Sequence, residues 1–238
     1  SCFLDDELTA GRVMCWGEFE QGVKCSSGIQ RAAGFQSNTM GTALPFVDLG
    51  STPETRRAVR LFQGGGHACA QFAPSGRVKC WGQNGGGQLM VGSFQGLVGC
   101  AASDMGDHLP FVDFGGANAE MIEMGLGHDT TCAVVRRPGV GQGLVCHGSN
   151  MGGRLGYASP GFPAPSHVGS MLPFVDLGTN LVPLLVASTY GATCVVVGTR
   201  ASSTDAITTT KGIKCMGDNR AKQLGLPAGM FPHESTIG

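Results

Sequence analysis

Seven residues, LPFVDLG, stand at Leu44 to Gly50; they return as LPFVDFG from Leu109 to Gly115 and as LPFVDLG from Leu172 to Gly178. A chain of 238 residues that writes one phrase three times, 65 and then 63 residues apart, is built from repeated structural units. Three further phrases recur between the copies. One ends on a cysteine: GGGHACA at 64–70, GHDTTCA at 127–133 and TYGATCV at 189–195. The second follows it: GRVMCWG at 11–17, GRVKCWG at 76–82, GLVCHG at 143–148 and GIKCMG at 212–217. The third comes directly after: GQNGGGQL at 82–89, GSNMGGRLG at 148–156 and GDNRAKQLG at 217–225.

One unit contains four short apolar runs bounded by Gly, Pro or Asp, which is the signature of strands. In the second unit they are PFVDLG at 45–50, RAVRLFQ at 57–63, HACAQFA at 67–73 and RVKCWG at 77–82. The 40 glycines and 12 prolines suit many short strands and tight turns and suit helices badly. Four strands per unit in series describe a propeller blade, with the phrase as the opening strand of each blade. The long period leaves 83–108 and 149–171 as loops. Two unrelated sandwiches or a solenoid are the rival architectures; the four-phrase unit argues against the first and the length of the period against the second. The expected organisation is all-β, a single propeller or propeller arc over 1–238, with units at roughly 1–39 (partial), 40–104, 105–167 and 168–238. The chain opens in the third strand of one unit and closes past the fourth strand of another. That makes fourteen strands, or about three and a half to four blades.

Ten cysteines are many for a chain of this size. Eight fall into pairs that flank one turn each: Cys2 with Cys15, Cys69 with Cys80, Cys132 with Cys146 and Cys194 with Cys215. A two-residue turn at Pro74-Ser75 sets 71 opposite 78 and Cys69 opposite Cys80. Side chains alternate with period 2, so both sulfurs share a face at close to disulfide distance. The separations of 13, 11, 14 and 21 show turns of changing length around cysteines that keep their places. The expectation is four disulfides, each stapling the last two strands of a unit. Eight thiols buried between blades are the alternative, and zinc a third, although the tight cysteine spacing of structural zinc sites is lacking. Cys25 and Cys100 remain, to pair with each other across neighbouring blades or with another molecule.

Formal net charge is −1 and no basic cluster stands out, so the sequence offers no nucleic-acid footprint. No run of about 20 apolar residues offers a membrane span. The chain begins at Ser1 without a Met or a charged-then-apolar leader, which a cleaved signal or an upstream segment would explain. His67 and His147 fall in strands, where backbone groups would satisfy them; His108, His167 and His233 fall in loops. Asp48, Asp113 and Asp176 recur once per unit and fit turn-holding acceptors better than calcium ligands, and Asn84, Asn150 and Asn219 fit the same role in the Gly-rich phrase. No catalytic triad order, phosphate loop or paired carboxylates emerge, and no cofactor or metal is expected.

GHACAQFAPSGRVKCWGQNGGGQL resembles the RCC1-type repeat, that of the regulator-of-chromosome-condensation propellers. The resemblance is carried by His67-Ala68-Cys69-Ala70, Gly76-Arg77-Val78, Trp81-Gly82, Asn84 and Gln88-Leu89. The MG-x-x-LPFVDLG phrase from Met40 is similar to a secreted, cysteine-rich branch of these repeats. His147 and Met216 stand where Trp16 and Trp81 stand, and Thr130 and Ala192 where His67 stands. The resemblance implies RCC1-like four-stranded blades and a platform for protein interaction. The exchange-factor members of the family carry a wedge-like insertion and a basic tail that this chain does not match. Three functional readings follow. An arc of this size is a fragment completed by the remainder of a longer propeller chain, a small four-bladed ring, or a subunit that joins others edge to edge; the first functional reading takes the last of these, a secreted, non-enzymatic structural protein whose exposed sheet edges assemble into filaments. The second is a secreted binding module that recognises a protein or glycan through its loops. The third, weaker, is a GTPase-regulator-like domain.

Overall fold

The computed structural model describes residues 1–5, 11–16, 40–93, 95–116, 118–158, 163–164, 166–200, 207–225 and 236–237. Among these, thirteen strands form four separate sheets, and all the strand pairings are antiparallel. The first holds β1 (Cys2–Asp5) and β2 (Arg12–Cys15). The second runs in order β3 (Arg57–Gln63), β4 (His67–Ala73), β5 (Val78–Gln83) and β6 (Leu97–Val98). The third holds β7 (Glu120–Leu126), β8 (Thr130–Arg137) and β9 (Gly141–Gly148). The fourth holds β10 (Leu181–Ser188), β11 (Ala192–Arg200), β12 (Ile207–Asp218) and β13 (Thr236–Ile237).

The sheets stack in chain order, which explains why the strands lack a polar face. In β4 both His67 and Cys69 on one side and Ala68, Ala70 and Phe72 on the other are buried, because a sheet lies against each face. The face that carries the cysteines looks toward the next sheet. His67 Nε2 lies 2.7 Å from Thr131 Oγ1 of β8, and Cys132 Sγ lies 3.7 Å from Thr193 Oγ1 of β11. One apolar core is continuous through the first three sheets and a second lies between the third and fourth. Among the described residues no extended contact joins the first sheet to the fourth, and the sheets so described form an open arc.

The hairpin register follows the cysteines. Cys2 faces Cys15, Cys69 faces Cys80, Cys132 faces Cys146 and Cys194 faces Cys215. Each pair forms a disulfide, with S–S distances of 2.04, 2.09, 2.11 and 2.10 Å. Two residues after the second cysteine the phrase always places glycine. Gly82, Gly148 and Gly217 have φ of 110°, 117° and 122°, and a Cβ at Gly148 would run into the Asp129 carbonyl. An L side chain meets both strain and collision there, which is why Trp, His and Met are tolerated one position earlier and nothing but Gly at this one.

The LPFVDLG phrase departs from its expected place. It does not open the sheet that follows it; it lies along the outer edge of the sheet before it. Val47 N donates to Val13 O at 2.7 Å, Val112 N to Val78 O at 2.8 Å and Val175 N to Leu144 O at 2.8 Å. In each case the acceptor sits two residues before the second cysteine of the preceding hairpin. Phe46 bridges to Met14 and Phe111 to Lys79 in the same manner. The fourth edge of a blade is thus written after a long connection, and the reason is geometric. Immediately after the hairpin the chain turns through the Gly-rich phrase, and in the second and fourth sheets a two-residue strand, β6 or β13, takes up the other end of the same edge. Residues 83–108, expected to be all loop, therefore contain β6.

Candidate functional site

Three parts lock the phrase, the first in all three copies and the other two in the first two copies. Its aspartate accepts the backbone N–H two residues on: Gly50 N reaches Asp48 Oδ1 at 3.0 Å, Gly115 N reaches Asp113 Oδ1 at 2.8 Å and Gly178 N reaches Asp176 Oδ1 at 2.8 Å. This is the turn-holding use of a carboxylate. Next, a glycine from the following unit docks on the same residue: Gly106 N donates to Asp48 O and Gly169 N to Asp113 O, both at 3.1 Å. Last, a buried cation ties the pieces together. Lys79 Nζ donates to Leu49 O at 2.9 Å and to Gly106 O at 2.8 Å. Arg137 does the same for the second copy, donating to Phe114 O at 2.7 Å, Gly169 O at 2.8 Å and Leu172 O at 2.7 Å. Burial lowers the Lys79 pKa, against the pull of Asp107 and Asp48, and burial lowers that of Arg137. Neither cation was singled out from sequence.

Asn84, Asn150 and Asn219 order the Gly-rich phrase identically, each accepting the N–H of the leucine five residues on: Leu89 at 3.0 Å, Leu155 at 3.1 Å and Leu224 at 3.1 Å. The expected role of His147 is present, with Nδ1 accepting from Gly148 N and Nε2 within 3.2 Å of Ala164 O. His67 differs. It bonds the Thr131 hydroxyl of the next sheet, and its Nδ1 has no hydrogen-bond partner, so it is an inter-sheet contact instead of a backbone one. His108 is exposed and His167 Nδ1 accepts from Ala164 N, while His233 lies outside the described residues. Cys100 is disulfide-bonded; Cys25 lies outside the described residues.

Burial, reinforced by His128, pushes His67 down to about 3, and burial pushes His147 down to about 4. Both are neutral in the fold at every pH above that. Below the ordinary value near 6.5 the unfolded chain binds protons that the fold refuses, so stability present above pH 6.5 is lost as pH falls. Each histidine contributes about 1.4 kcal/mol per pH unit in that window. Urea unfolding at pH 7.5 and 5 should differ by roughly 4 kcal/mol from these two groups, and His67→Gln should halve the difference. Equal midpoints at the two pH values would contradict this.

The fourth sheet presents the surface that stands apart. Leu185, Val196 and Ile213 form one row across β10, β11 and β12, on the face that carries Cys194 and Cys215. In the third sheet the corresponding Val134 and Leu144 and the Cys132–Cys146 bridge are fully buried beneath the fourth. Here Leu185 is 54% exposed and Ile213 69%, and the disulfide is only half-buried. At the other end of the arc Phe3 of β1 is 52% exposed, where its counterparts Ala70, Ala133 and Val195 are buried completely against a preceding sheet. Among the described residues, shallow clefts of about 360, 470 and 370 Å³ open beside the first three hairpins; glycine and arginine line all three and phenylalanine the first two. Among the described residues no three His, Cys, Asp or Glu side chains gather as a metal site, and no helix is long and apolar enough to cross a membrane.

No family model and no curated protein matches the sequence. Solved structures do match the fold. Yeast RCC1 (Prp20), in a crystal structure bound to Kap60, is similar over 99% of this chain and 44% of its own, with a TM-score of 0.63 at 14% identity. Prp20p from Saccharomyces cerevisiae, in a structure described with its binding properties to Gsp1p and histones, is similar over 94% of this chain and 43% of its own, with a TM-score of 0.56 at 16% identity. The chain spans less than half the length of these structures. The arc of disulfide-stapled sheets is therefore an RCC1-type repeat propeller fold.

Proposed function

We propose that the protein is a non-enzymatic, extracellular structural protein built from RCC1-like repeats, which associates through the free sheet faces at the ends of its arc. The observation that carries this is the exposure of Leu185 and Ile213, which flank Val196 on a face whose counterparts Val134 and Leu144 in the sheet before are buried completely. An apolar row of this kind on a sheet face is a binding surface, and a contact between unlike ends repeats without closing and gives filaments. The Phe3 face is the surface of the right kind to meet it. Four disulfides favour an oxidising compartment over the cytosol. The interaction role is also supported by the fold, since the similar Prp20 structures are described with the proteins that they bind. A pairing of Cys25 with Cys100 belongs to the same proposal, as do sequence repeats that begin at roughly 40, 105 and 168, each opening on a phrase that edges the sheet before it.

Native mass measurement under non-reducing conditions tests it. The expected result is a concentration-dependent ladder above the 24.5 kDa chain, which Ile213→Asp with Leu185→Asp abolishes without loss of the fold. A fixed 24.5 kDa species at all concentrations contradicts assembly and leaves the binding-module reading.

A further inference from the structure

The turns that join β3 to β4, β7 to β8 and β10 to β11 are built alike. Gly64 N, Gly127 N and Thr189 N each donate to the carbonyl three residues on, His67 O at 2.9 Å, Thr130 O at 2.8 Å and Ala192 O at 2.8 Å. Each turn is also tied to the next one along the arc. Gly65 N donates to Gly127 O at 2.9 Å, and His128 N to Thr189 O at 3.4 Å. A carbonyl oxygen has two lone pairs, so Gly127 O and Thr189 O each keep an acceptor site after that bond.

Among the described residues, two buried side-chain atoms have no hydrogen-bond partner, His67 Nδ1 and Thr130 Oγ1, and they fall at equivalent places in two successive joints. His67 is 0% and Thr130 1% exposed. A Cβ on Gly64 would lie 2.9 Å from His67 Nδ1 and 2.4 Å from Gly127 O; a Cβ on Gly127 would lie 2.4 Å from Thr130 Oγ1 and 2.4 Å from Thr189 O. In both joints, then, one glycine separates a polar side-chain atom from the carbonyl of the next turn, and the two make no direct bond. Both side-chain atoms have a proton to place. Thr131 Oγ1 is buried at 2.7 Å from His67 Nε2, its one hydrogen bond among the described residues. The hydroxyl donates to a bare Nε2, which leaves the proton of the neutral ring on Nδ1.

We infer that each of these two joints binds one ordered water. The first water accepts from His67 Nδ1–H and donates to Gly127 O; the second accepts from the Thr130 hydroxyl and donates to Thr189 O. Buried polar atoms that find no protein partner are as a rule met by such a water, provided that the site offers it two to four polar contacts. The glycines at the head of the turns belong to the same site, because a methyl group at 64 or 127 would stand between the two groups that the water bridges. Each joint is thus held twice, by a backbone N–H bonded directly to the next turn and by a side chain bonded to the same carbonyl through water.

Three measurements on the oxidised protein test it. A high-resolution crystal structure should show one water within hydrogen-bond distance of both His67 Nδ1 and Gly127 O, and another between Thr130 Oγ1 and Thr189 O. Long-range nitrogen-15 correlation spectra should place the His67 proton on Nδ1. Oxygen-17 relaxation dispersion, which counts waters held inside a protein, should fall by one long-lived water in Thr130→Val, a change that keeps the side-chain shape and removes the hydroxyl. Gly64→Ala should lose the other water; should that variant fail to fold, the spectra and the crystal structure of the parent still decide the first joint. A joint that is dry or closed by a direct bond from the side chain to the carbonyl, a proton on Nε2, or an unchanged water count in Thr130→Val overturns the inference.

Discussion

Cys132→Ala together with Cys146→Ala should cost the protein about 4 kcal/mol, and the matching pair Cys194→Ala with Cys215→Ala about 3 kcal/mol. Chain entropy alone ranks them the other way. The loops close over 14 and 21 residues, for which the crosslink restricts the unfolded chain by about 3 kcal/mol, slightly more for the longer one. The reversal comes from packing. The 132–146 bridge is wholly buried against β11, so removing both sulfurs leaves a void between two sheets, and voids add to the loss. The 194–215 bridge is half-buried and its loss opens no comparable void. Urea midpoints of the two double variants decide it. Equal losses would mean that the sulfurs act only as tethers, and no loss from either would mean that the staples do not hold the hairpins.

Arg137→Ala should be of similar size, about 4 kcal/mol, for a different reason. The guanidinium bonds three backbone carbonyls, Phe114 O, Gly169 O and Leu172 O, at a residue only 7% exposed. Deleting it leaves acceptors without donors in a dry site, and each orphaned group costs about 1–3 kcal/mol. Arg137→Lys should recover roughly half of the loss, since a single ammonium at Lys79 already serves the two corresponding carbonyls of the first copy. Denaturant unfolding of the three proteins gives the comparison. A variant Arg137→Ala as stable as the parent would show that the phrase is held by its strand contacts alone.

The register of the hairpins was legible because cysteine is an unambiguous marker. Cys69 opposite Cys80 follows from one turn and the alternation of side chains, and the fold places them so. The aspartates and asparagines were legible too, because their acceptors act within five residues of chain. The side on which LPFVDLG docks was not. A repeat of about 65 residues has no marked beginning, so a unit cut before the phrase and one cut after it look alike in sequence. Bonds between distant residues, such as that from Val112 N to Val78 O, show which cut the structure makes. The buried cations escaped for a related reason. Lys79 lies beside a cysteine within β5, while Arg137 sits at the end of β8 next to the turn. Two different chain positions reach one spatial role, and no spacing reveals that. His67 was read as a backbone partner because its own strand is all that sequence displays; Thr131 is 64 residues away.

The four sulfur bridges stay within single hairpins and tie the strands of one sheet, not of two. Proteolysis of the unreduced protein, with mass assignment of the linked peptides, measures this without intermediaries. The expected map joins Cys2 to Cys15, Cys69 to Cys80, Cys132 to Cys146 and Cys194 to Cys215. A map that joins cysteines of different hairpins, or that finds these eight as free thiols, contradicts it.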